Sequence, residues 1–142
     1  MLKPLSLAVL ITLPTLGHAQ DFVRRERLTI PVNRIDSTSF EVIEADGAGG
    51  TQLWCAAGIY TRHVLGQRGG DLYIQSGRGD ATTAPGRKGV VFTTQPVEGA
   101  FSSFGQGVRR TGKVFSMAHA FALCRDSPFL RVQTADNRLV RR

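Results

Sequence analysis

Residues 40–65 read FEVIEADGAGGTQLWCAAGIYTRHVL, and in that order they hold a strand, a break and a helix. Residues 40–44, FEVIE, have strand composition. Asp46-Gly47-Ala48-Gly49-Gly50 interrupts the run and opens a helix predicted from Thr51 to Leu65. Leu53, Ala57, Tyr60 and Val64 fall on one helical stripe, which Trp54 and Leu65 widen. Cys55 and Ile59 fall on a flank near Arg62, away from that stripe, and Gly66 is the expected C-cap.

Upstream, Leu28, Ile30 and Val32 alternate with Thr29 and Pro31, a second half-buried strand. Asp36 to Ser39 is the turn of a hairpin. Pro31 has no N–H to give a ladder, so the first strand is expected at a sheet edge. Downstream, residues 71–75 (DLYIQ) and 89–94 (GVVFTT) read as two more strands. The polar, glycine-rich segment 77–88 between them is expected to be a mobile loop. Residues 95–112 read as loop, although Val97, Phe101 and Phe104 call for burial. Val114 and Phe115 end a short strand, Ser116 is an N-cap, and a second helix follows over 117–124. Phe129 to Gln133 is a last strand, and the basic end of the chain is expected to fray. This order predicts an α+β fold, a small mostly antiparallel sheet with two helices packed on one face. Leu28, Ile30, Phe40, Val42, Leu53, Ala57, Tyr60, Leu72, Ile74, Val91, Met117 and Phe121 are the expected core.

The N-terminus reads as a targeting segment. Lys3 precedes an apolar run from Leu5 to Leu16, and Gly17-His18-Ala19 supplies small residues at a cleavage point. Residues 1–19 are therefore expected to be a cleaved secretory signal, leaving one domain over 20–142. No transmembrane span is expected in the mature chain, and the location implied is periplasmic or secreted. The 142-residue composition, 42% hydrophobic and 20% charged, excludes a disordered or collagen-like chain. In an oxidising compartment Cys55 and Cys124, one on each predicted helix, are expected to bridge; two separate buried thiols are the alternative.

Without the signal the net charge is 17 − 11 = +6, unevenly spread. Residues 35–61 hold four acids (Asp36, Glu41, Glu44, Asp46) and no Lys or Arg, whereas residues 62–142 hold 13 basic and 5 acidic side chains. Arg109, Arg110 and Lys113 form one basic cluster, and Arg131, Arg138, Arg141 and Arg142 form another. These are the candidate contacts for an anionic envelope component, a polymer or a lipid surface. The competing reading is internal neutralisation by the acidic section, which the lack of aromatic-interleaved basic motifs favours.

No catalytic or metal set is assigned, and no cofactor is expected. The spacings Cys55-x7-His63 and His119-x4-Cys124 do not fit a zinc site. Ser116 and His119 lack an orienting carboxylate and an oxyanion hole. The segment 46–50 lacks the Lys-Ser/Thr of a phosphate loop, and Glu44 and Asp46 would repel phosphate, so a structural turn is favoured. Arg78-Gly79-Asp80 matches the tripeptide that integrins bind, in what reads as the most exposed loop, a match that chance explains.

Residues 30–65, with Trp54-Cys55-Ala56-Ala57 at their centre, and the segment APGRKGV at 84–90 resemble a group of small exported alphaproteobacterial proteins of unassigned function. The resemblance implies a Gram-negative envelope location and carries over no activity or catalytic residue. The function expected is a small binding or accessory structural module. A basic envelope module or a small enzyme without a recognisable motif are the alternatives.

Overall fold

A computed structural model describes residues 28–142; the segment read as a signal lies outside the described residues. The elements are β1 (Thr29–Arg34), β2 (Ser39–Ile43), α1 (Gly50–His63), β3 (Asp71–Asp80), β4 (Lys88–Thr93), β5 (Val114–Ser116), α2 (Met117–Ala122), a 3-10 turn (Leu123–Asp126), β6 (Arg131–Thr134) and β7 (Leu139–Arg141). The strands form one seven-stranded sheet in the order β5-β3-β4-β2-β1-β6-β7. Every pairing is antiparallel except β1 with β6. The fold is α+β.

Local chemistry accounts for the expected elements. The Asp36 carboxylate accepts the amides of Thr38 (2.8 Å) and Ser39 (2.7 Å), which closes the β1–β2 hairpin. Ser116 caps α2 by accepting the His119 amide at 3.1 Å. Gly66 has φ +71°, the left-handed turn that ends α1's run.

Three expectations give way to the tertiary structure. β1 is interior, between β2 and β6, because the ladder with β2 involves only Val32 to Arg34 and makes no demand on Pro31. The long loop is shorter than expected: residues 77–80 extend β3, and Lys88 opens β4. The chain end does not fray over 139–141, which pairs with β6 as β7.

The core lies between the sheet and the helices. α1 packs on β1, β2, β6 and β7, and α2 packs on α1, β3 and β5. The Trp54 ring meets Phe92 at 4.9 Å and Phe115 at 4.5 Å, and Phe40 meets Tyr60 at 4.5 Å. Of the expected core residues only Phe121 is half-exposed. α1 is buried from Leu53 to Thr61 without interruption, because α2 covers the flank that its own stripe leaves open. That cover brings Cys124 to Cys55, with Cα atoms 4.9 Å apart and the sulfurs at disulfide distance.

β2 is buried on both faces. Phe40 and Val42 belong to the core cluster, and Glu41, 1% exposed, lies under the β3–β4 loop. Its carboxylate accepts the amides and hydroxyls of Thr82 and Thr83. Glu41, one of the four acids of residues 35–61, is therefore a buried acceptor that holds the loop.

Candidate functional site

The start of α1 opens into a cleft. Gly49 precedes the helix with no side chain to cap it, and its own amide donates to Gln52 Oε1 at 3.0 Å. Among the described residues the amides of Gly50, Thr51 and Gln52 have no protein acceptor, and the first turn has no acidic side chain. Such a helix end presents bare N–H groups and partial positive charge.

The opposite wall is the chain from Phe101 to Lys113. It lies hard against two glycines. A β-carbon on Gly50 would sit 2.0 Å from the Gln106 carbonyl oxygen, and one on Gly77 would sit 2.1 Å from that of Arg109. Both glycines are thus required by close backbone approach. Hydrogen bonds from Arg78 N to Val108 O (2.8 Å) and Gly112 N to Ile74 O (2.8 Å) tie the wall to β3. The open cleft between this wall and α1 has a volume of about 660 Å³, with Ala48, Leu53, Phe101 and Val108 as its apolar part.

The charge in this cleft is one-sided. Arg78, Arg109, Arg110 and Lys113 line it, against Glu44 alone. Glu44 is taken: both its oxygens accept from Arg78, and that guanidinium holds its carboxyl below the usual range. Arg110 stacks on Phe101, 4.2 Å from guanidinium carbon to ring centroid. Lys113 is 4% exposed. Its ammonium donates to the Gly105 carbonyl, lies 5.0 Å from the Phe115 ring, and has no carboxylate partner among the described residues. Burial, and then the neighbouring Arg110, push its pKa down.

The structure separates the basic residues that the sequence grouped. Arg109, Arg110 and Lys113 stand beside the β5 edge of the sheet, and the C-terminal cluster stands at the β6–β7 edge. There Arg131 and Arg141 line a second pocket, of about 500 Å³. Arg131 donates to Thr29 Oγ1 at 3.2 Å, and Arg138 pairs with Asp136 at 2.7 Å. Arg142 lies 5.7 Å from the Phe121 ring centroid. Of the four acids in residues 35–61, only Glu44 forms an ion pair with the basic section.

Other sequence features are used elsewhere. Arg78 and Asp80 of the tripeptide lie in β3, paired with Glu44 and with Lys88 (2.5 Å), and not in an exposed loop. His63 and His119 are exposed and face the rings of Phe121 and Phe115. The sequence by itself does not mark Arg78 as a cleft residue. The glycine-rich run 46–50 points to the start of α1, where the missing Lys-Ser/Thr and the carboxylates of Glu44 and Asp46 favour a structural turn; the pairing of Glu44 with Arg78 depends on β3 lying beside it.

Among the described residues no helix is long and apolar enough to cross a membrane. Comparison of the chain with protein-family models, curated proteins and solved structures finds no match.

Proposed function

We propose that this is an exported binding protein that takes a phosphoryl or carboxylate group of its ligand in the cleft at the start of α1. The observation that carries the reading is Lys113, a buried ammonium without a carboxylate, in the wall of a cleft that four cations line against one engaged acid. Burying a charge costs free energy unless something compensates it; the Gly105 carbonyl and the Phe115 ring compensate Lys113 in part, and an incoming anion would supply the counter-charge it lacks. The free amides of α1 add donors suited to the same group. Ala48, Leu53, Phe101 and Val108 would receive an apolar part of the ligand.

Export rests on the charged, apolar and small-residue zones of residues 1–19, on the resemblance to small exported alphaproteobacterial proteins, and on compatibility with the cysteine pair at disulfide distance. The reading keeps both helices on one face of the sheet, an arrangement supported by the packing of α2 on α1 and of each helix on strands. An anionic envelope component is the partner expected.

The test is calorimetric titration of the mature chain with pyrophosphate at low ionic strength. Binding is expected, with loss on Lys113→Met and retention on Arg138→Ala, which lies outside the cleft. No binding, or equal binding by the Lys113→Met protein, would overturn the reading.

A further inference from the structure

Phe104 is 102% exposed, whereas the other large exposed hydrophobic side chains, Ile35, Phe129 and Leu139, keep about half of their surface covered. A ring held wholly in water is unfavourable, and its position is not a consequence of loose chain. Lys113 holds the Gly105 carbonyl, Gln106 lies against Gly50, and Phe101 bridges to Lys113. The loop is thus anchored on both sides of its tip, and the tip projects from the same wall that closes the cleft.

The wall that carries it is basic: residues 99–113 contain Arg109, Arg110 and Lys113 and no acid, although Asp71 of β3 lies beside the tip. We infer that Phe104 is a membrane-seating tip. It enters the interface of an anionic bilayer, while Arg109 and Arg110 meet the headgroups and a lipid phosphate occupies the cleft. This rests on the anion-binding reading above and names its ligand as a bilayer headgroup. A fluid interface suits the geometry. One ring among Ser102, Ser103 and Gly105 presents far less area than the roughly 800 Å² that each partner of a stable protein complex buries. A bilayer needs no complementary pocket and accepts a single aromatic side chain at headgroup depth. Basic side chains next to it gain from the negative surface potential.

The experiment is co-sedimentation of the mature chain with vesicles of phosphatidylglycerol mixed with phosphatidylcholine, and with pure phosphatidylcholine. Pyrophosphate calorimetry is run alongside. Binding to the mixed vesicles alone is expected, and added salt should weaken it. Phe104→Ser should reduce partitioning about tenfold and leave pyrophosphate binding unchanged. Arg109→Ala should reduce partitioning about fivefold. Phe104→Trp should gain fluorescence that brominated lipid quenches. Pyrophosphate binding without vesicle binding overturns this inference and leaves the cleft reading standing. Vesicle binding that Phe104→Ser does not change also overturns it. Failure of both assays removes both.

Discussion

Gly58 of α1 faces the backbone of Phe121 in α2 so closely that a β-carbon on residue 58 would lie 2.6 Å from the Phe121 nitrogen. The Ala120 carbonyl carbon would be 2.8 Å away. The two helices therefore meet backbone to backbone. This contact sets the depth at which α2 covers α1.

Gly58→Ala consequently carries the opposite sign from the usual helix substitution. In a free helix interior the change would stabilise by about 1 kcal/mol. Here the neighbour is main chain and cannot rotate away, so the helices must separate, at about 1–3 kcal/mol. Thermal denaturation should show a melting point lower by roughly 4–8 °C per kcal/mol. A higher melting point would contradict the packing.

Cys55 and Cys124 are 69 positions apart in sequence and sit next to that contact, Cys124 in the 3-10 turn that follows α2 and not in the helix expected over 117–124. A bridge between them restricts a long loop in the unfolded chain, worth about 3–4 kcal/mol. Protein recovered from an oxidising compartment should resist alkylation under denaturing conditions until reduced. The Cys55→Ala/Cys124→Ala double variant should lose about that much stability in urea titration. Two thiols alkylated without reductant would refute the bridge.

Glu41 predicts acid sensitivity. Burial raises its pKa, and the hydrogen bonds from Thr83 and Thr82 lower it by more, so it lies below its ordinary value of 4.5. Asp36 and Glu44 are lowered as well. A carboxyl with a lowered folded pKa contributes stability above its unfolded value and loses it as pH falls through the folded one. Stability should hold at neutral pH and decline as pH drops below 4.5. Glu41→Gln should cost about 1–3 kcal/mol at pH 7, because its amide turns a donor toward donors, and should flatten part of the acid decline. An unchanged urea midpoint for Glu41→Gln would count against this account.

On the anion-binding proposal, Lys113 trades stability for binding. A lysine whose folded pKa is lowered costs stability at neutral pH, and that cost fades as pH rises through the folded pKa toward 10.5. Lys113→Met, which keeps an unbranched stem, should raise the melting temperature of the ligand-free protein. Pyrophosphate at about ten times its dissociation constant should stabilise the parent by about 1.4 kcal/mol and this variant by little. Matched chloride is the control for ionic strength. Equal stabilisation of both proteins would show that the anion acts elsewhere.

What the sequence determined by itself was local. Period-two and period-3.6 spacing identified both helices and the strands of the first hairpin, because the side-chain pattern along an element depends on its own geometry. Turn and cap chemistry at Asp36, Gly66 and Ser116 was readable for the same reason: each acts on the backbone within a few residues. The tertiary structure decided everything that depends on a neighbour from elsewhere in the chain. Pro31 lies in an interior strand because the β1–β2 pairing stops at Val32 and Val42, and residues 139–141 become β7 because β6 offers a free edge. Cys55 leaves the exposed flank of its helix because α2 covers it. The basic section was legible as composition, but its division between two sheet edges was not. Nor was the burial of Lys113, since the distance from an ammonium to a carboxylate, or to water, is set by contacts between segments far apart in sequence.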